Sequence, residues 1–123
     1  MAVSNYQSLH VWQKAMDLAA EIYSLVKKLP KEELYSLSAQ MRRAVVSIPS
    51  NIAEGNGRQT ESEFQQFVRI ARGSAAELET QLLLCEKIGY LALTDINLAI
   101  GLLTEISKMT TAIMKNSDKF RNF

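Results

Sequence analysis

Cysteine and histidine are almost missing from this 123-residue chain, which has one of each, Cys85 and His10. One cysteine closes no intramolecular disulfide. One histidine builds neither a histidine-rich metal site nor the paired Glu-x-x-His motifs of a di-iron helical protein. No metal or other cofactor is expected. With only two prolines and five glycines there are few places to turn, which favours a few long helices over many short strands. An excess of one charge is also lacking. Fourteen Lys and Arg against thirteen Asp and Glu leave +1, so no global field draws the chain to nucleic acid or to a membrane. No apolar run reaches the length of about 20 residues that spans a bilayer, and the first residues lack the basic-then-apolar layout of a secretory signal. Gly-x-Gly-x-x-Gly and phosphate-loop motifs are absent. A lone cysteine suits a reducing compartment. These absences together predict a cytoplasmic, non-enzymatic protein with no membrane partner.

What is present is a chain with 47% hydrophobic and 22% charged residues, the composition of a folded globular protein. Its length suits one domain, 1–123, with polar, partly disordered ends at about 1–7 and 117–123. Four segments carry helical periodicity. The first, about 9–29, places Trp12, Ala15, Met16, Ala19, Ile22, Tyr23, Val26 and Leu29 on one stripe and stops at Pro30. The second runs from about Ser36 to Glu54 on Leu37, Met41, Ala44, Val45, Ile48 and Ile52. Pro49 falls inside it and removes a backbone donor, which predicts a kinked helix or two short ones. Gly55-Asn56-Gly57 offers left-handed residues for its end. Thr60-Glu61-Ser62-Glu63 is a capping box that starts the third helix, whose stripe runs Phe64, Phe67, Val68, Ala71, Ala75, Leu78, Leu82, Cys85 before Gly89 stops it. Thr94 and Asp95 open the fourth, with Ile96, Ala99, Ile100, Leu103, Ile106, Thr110 and Ile113 inward. Short connections between long helices predict an all-α, antiparallel up-and-down four-helix bundle.

Two helices carry more apolar surface than one packed face needs. Val11, Leu18 and Leu25 repeat every seven residues beside the main stripe of the first helix, and Ile70, Leu84 and Ile88 lie off the stripe of the third. An ordered second stripe marks a partner surface. Gly73-Ser74-Ala75-Ala76 adds small residues that admit another backbone. The expectation is a homo-oligomer with Val11, Leu18, Leu25, Ile70, Leu84 and Ile88 at its interface.

The cationic side chains are distributed by type. No lysine lies between Lys31 and Lys87, yet Arg42, Arg43, Arg58, Arg69 and Arg72 all fall there. The planar guanidinium suits bidentate pairing to phosphate or carboxylate. One reading makes these five a basic surface across the second and third helices, contacting the backbone of structured RNA or DNA without reading bases. The other makes them structural, paired with Glu54, Glu61, Glu63, Glu77 and Glu79 within or between subunits, so that the protein is a scaffold for a protein partner. Around Pro49, the Ser47, Asn51 and Glu54 side chains either satisfy groups freed by the proline, with a Glu54–Arg58 ion pair, or line a small recognition pocket.

The string Ser47-Ile48-Pro49-Ser50-Asn51-Ile52-Ala53-Glu54-Gly55 with Arg58 carries a family resemblance. Supporting it are Leu9-His10-Val11-Trp12-Gln13-Lys14-Ala15-Met16, Gln40-Met41-Arg42-Arg43-Ala44, Ala71-Arg72-Gly73-Ser74 and Glu77-Leu78-Glu79-Thr80-Gln81-Leu82. Over roughly residues 8 to 115 the chain resembles the bacterial four-helix-bundle proteins encoded in intervening sequences of 23S ribosomal RNA. The resemblance implies a homopentamer. It also implies kinship with accessory proteins of diversity-generating retroelements, which work with a reverse transcriptase and its RNA.

Overall fold

A computed structural model describes residues 5–115, and among these every regular element is helical. The four α-helices are α1 (His10–Val26), α2 (Leu37–Asn56), α3 (Glu61–Lys87) and α4 (Leu93–Lys115), with short 3₁₀ turns at Tyr6–Ser8 and Lys31–Glu33. The expected polar ends at 1–7 and 117–123 lie largely outside the described residues. Each helix packs against its neighbours in chain order, and α1 closes on α4. Contacts run in reverse order along adjacent helices: Met41 meets Cys85, Ser47 meets Ser74 and Gly55 meets Phe67. Lys14 pairs with Glu105 and Lys28 with Asp95 in the same sense. One apolar core fills the space between the four, centred on Leu18, Ile22, Met41, Ile48, Phe64, Leu78, Ile96 and Ile106.

The buried arc of α1 is rotated from the expected one. Val11, Leu18 and Leu25 are 3%, 0% and 3% exposed, at the centre of the core, so they are not an outer stripe available to a second subunit. Met16 and Tyr23, expected inside, are each 45% exposed. The reason is geometric. A helix at one corner of a four-helix core faces two neighbours, so its buried arc is centred on the Val11–Leu18–Leu25 line, and a wide apolar face leaves that centre ambiguous in the sequence.

Helix α2 is continuous through Pro49, not two short helices, and the pyrrolidine ring itself is buried. It also runs past Gly55 to Asn56, and Gly57 ends it at φ −85°. No left-handed residue occurs there; among the described residues only Gly89 has positive φ, at 86°, where it stops α3 as expected. Gly55 serves packing instead. A Cβ on it would lie 2.7 Å from Phe67 Cβ and 3.3 Å from the Phe64 carbonyl oxygen, so its missing side chain lets α2 and α3 approach. The α3 cap is the predicted one: Thr60 Oγ1 accepts from the Glu63 amide at 3.2 Å. At the start of α4, Asp95 and not Thr94 supplies the capping oxygen, accepting from the Ala92 amide at 2.8 Å.

Candidate interaction surfaces

The polar seam between α2 and α3 begins with Asn51. Its Nδ2 donates to the Ser47 carbonyl at 2.7 Å and to Ser47 Oγ at 2.9 Å. Ser47 Oγ in turn shares a 2.8 Å hydrogen bond with Ser74 Oγ on α3. All three residues are half-buried. The carbonyl that Pro49 deprives of its donor belongs to Val45, so Asn51 reinforces the turn beside the proline and not that group. One turn away, Glu54 Oε2 accepts from Arg58 Nη2 at 2.7 Å, the expected local ion pair. The guanidinium of Arg58 also lies 4.9 Å from the Phe67 ring centroid. The Asn51 amide nitrogen and the Glu54 carboxylate are thus bonded within their own chain.

The five arginines do not form one surface. Arg42 is half-buried, donates to the Leu34 carbonyl at 3.3 Å, and lines the groove between α1 and α2. Arg43 also edges that groove but reaches over to the α2–α3 seam. Arg58 is held at the turn. Arg72 points to α4, where Nη1 lies 3.7 Å from Met114 Sδ and the side chain borders Leu103 and Ser107. Arg69, three residues before Arg72, is exposed on the same side of α3 by helical angle. Successive residues on a helix point about 100° apart, which separates Arg42 from Arg43 and turns Arg69 and Arg72 away from α2. Arg43 and Arg69 alone of the five have no hydrogen bond or ion pair with described residues.

Two openings flank Arg43. The α1–α2 groove is a shallow, open one of about 550 Å³, lined by Tyr23, Ala39, Arg42, Arg43, Val46 and Ser47, with no carboxylate among them. A smaller cleft of about 230 Å³ on the α2–α3 seam is bordered by Gln40, Arg43, Ala44, Ser47, Ser74 and Glu77. Arg43 and Glu77 share this cleft without forming an ion pair. Glu77 instead accepts from Gln81 Nε2 at 3.4 Å, while the buried Gln81 Oε1 finds no partner among the described residues. Ile70 and Leu84 on the outer side of α3, and Ile88 just past its end, are 44–50% exposed. Ile70, Leu84 and Ile88 stand there as expected from the sequence.

Sequence reasoning misses three residues. Glu33 receives the Tyr90 hydroxyl at 2.8 Å and the Leu37 amide at 3.3 Å, joining two connections and capping α2. The Tyr90 hydrogen bond holds that phenol above its ordinary pKa. Ser74 reads in the sequence as merely small, and Gly55 as a turn former. Helical register locates Ser74 opposite Ser47 once the order of contacts is known, whereas nothing local marks Glu33. Of the reactive side chains, His10 is exposed at the start of α1 and Cys85 is buried, with burial pushing its thiol pKa up. The described residues contain no group of three His, Cys, Asp or Glu placed to hold a metal, and none of their helices is long and apolar enough to cross a membrane.

Residues 7–112 match the model of the 23S rRNA-intervening sequence protein family. The chain belongs to this family. A solved structure of a protein with unknown function from the S23 ribosomal protein family of Bacteroides thetaiotaomicron VPI-5482 shares 29% sequence identity with it, at a TM-score of 0.79. The alignment covers 85% of this chain and 98% of that one. No curated protein matches. The fold and the family agree with the Ser47–Gly55 string and with the all-α architecture.

Proposed function

We propose that this 23S rRNA-intervening sequence protein is a non-enzymatic, antiparallel up-and-down four-helix bundle, bent at Pro49, that self-associates and serves as a binding scaffold. The observation that carries this reading is the outer side of α3, where Ile70, Leu84 and Ile88 remain about half exposed on a helix whose other side is fully packed. Apolar residues in such an array lose little by being there only if a partner covers them. The resemblance implies five copies. The non-enzymatic part rests on the placement of the reactive groups: an exposed lone imidazole and a buried thiol kept protonated. The test replaces Ile70 and Leu84 together by Glu. Folded monomers are expected, with size-exclusion light scattering reading the mass and circular dichroism the helix content. A variant with the wild-type mass would refute the reading.

A second reading has its own support. Arg43 and Arg69 carry charges that no described residue neutralises, and repetition in an oligomer would multiply them into a surface for the phosphates of structured RNA or DNA. Anisotropy of a labelled structured RNA across a salt series tests it. A log-affinity falling linearly with log salt, weakened in Arg43→Ala and Arg69→Ala, supports phosphate contact. Flat, weak binding leaves these arginines to the architecture and the scaffold to a protein partner.

A further inference from the structure

The α1–α2 groove and the Ile70–Leu84 ridge of α3 lie on either side of the α2–α3 seam, where Arg43 and Glu77 border one cleft, and each has what the other lacks. The groove has an apolar floor of Tyr23, Ala39 and Val46, two guanidinium groups at its edge, and no carboxylate. The ridge repeats every seven residues as Ile70, Glu77 and Leu84, which keeps the three on one line of the helix. Glu77 is exposed and has no cation within 4.0 Å among the described residues. Gly73 lies between Ile70 and Glu77, exposed, and a Cβ there would meet nothing within 4 Å. A glycine in mid-helix costs about 1 kcal/mol against alanine, and no contact with the described residues accounts for it. The same is true of Gly101 on α4, so the glycine permits a close approach on the ridge without itself indicating one.

We infer that the α3 ridge of one copy seats in the α1–α2 groove of the next, with Ile70 and Leu84 on the apolar floor and Glu77 against Arg43. The inference rests on the self-association reading and names its two faces. Charge complementarity selects this pairing. Two cations edging a groove without an acid attract a ridge whose central charge is a lone carboxylate, and they repel a second groove. Because the faces differ, the contact is head-to-tail. Each copy offers one groove and one ridge, and the series closes into a ring if the rotation allows, whereas a two-fold dimer would need one self-complementary patch. The same contact gives Arg43 a carboxylate partner and so competes with the phosphate reading of that residue.

Arg43 and Glu77 of a single chain border the same cleft, so the experiment must separate pairing between copies from pairing within one. Full-length Arg43→Glu and Glu77→Arg variants are purified separately, and their masses are read by light scattering, alone and after equimolar mixing. Both positions face solvent, and circular dichroism checks that each variant is folded. Each variant alone is expected to self-associate about tenfold more weakly or worse. The mixture is expected to recover much of the assembly, because contacts between unlike variants oppose unlike charges and a ring of five needs only one contact between like variants. A mixture that stays dissociated, while the double variant in one chain assembles, would assign the pair to a single chain and overturn the inference. Wild-type mass in both single variants would overturn it too, leaving self-association intact. If Arg43→Glu keeps that mass but loses RNA binding, Arg43 belongs to a nucleic-acid surface instead. A wild-type chain that is monomeric would remove the self-association reading and this inference with it.

Discussion

At the residue scale, the absence of a side chain at Gly55 and two hydroxyls at Ser47 and Ser74 set how α2 meets α3. Gly55→Ala places a methyl group 2.7 Å from Phe67 Cβ. Overpacking of this kind costs about 1–3 kcal/mol, against a helix-propensity gain of about 1 kcal/mol. The expected outcome in urea unfolding is a net loss of stability, and a gain would show that the helices move apart freely. Ser47→Ala and Ser74→Ala are each expected to cost about 1 kcal/mol, the usual net value of one hydrogen bond. Their double-mutant cycle should show coupling, because both remove the same 2.8 Å contact. Asn51→Ala should destabilise the chain without any ligand, since its amide is already bonded to Ser47. The identities of these residues were visible in the sequence, and the Ser47–Gly55 string was enough to indicate the family. Their duties were less so. Gly55 followed by Asn56 and Gly57 has the composition of a turn, and only the position of Phe67 shows that it is a packing contact.

At the scale of the helix, number, order and the α3 boundaries were legible because each depends on local signals: the Thr60–Glu63 cap, the Gly89 stop and the 3.6-residue period. The rotation of α1 was not. Its apolar residues cover a wide arc, and which third of that arc faces inward depends on where α2 and α4 stand. The arginine surface failed for a related reason. A surface needs common direction, and helical phase turns Arg42, Arg43 and Arg72 toward different openings while Arg58 sits on the turn between α2 and α3. The two exposed mid-helix glycines provide a test at this scale. Gly101 on α4 has open space where a Cβ would stand, so Gly101→Ala should stabilise the chain by about 1 kcal/mol. Gly73→Ala should give a similar gain in the isolated chain but weaken assembly, because its methyl group would enter the contact with the next copy. Thermal melting of dilute protein and light scattering of concentrated protein separate the two effects.

At the scale of the whole molecule, α4 pairs by charge with α1 through Lys14–Glu105 and with the turn after α1 through Lys28–Asp95. The Asp95 carboxylate accepts from the Ala92 amide and from Lys28, and these hold its pKa below the ordinary 3.8. The folded state therefore binds its proton less readily than the unfolded state. The stability this gives is complete above the ordinary value and is lost as pH falls through the folded one. Melting temperature should decline in that acid range, and the decline should be shallower in Asp95→Asn. Association of whole chains is the larger question, because the exposed ridge of α3 has no role in the isolated domain. The most direct measurement is the mass of the purified full-length protein by light scattering across a range of concentrations. The account predicts a multiple of 13.8 kDa, about 69 kDa for five copies, that collapses to one copy when Ile70 and Leu84 are replaced by Glu. A wild-type mass of 13.8 kDa at every concentration would contradict it.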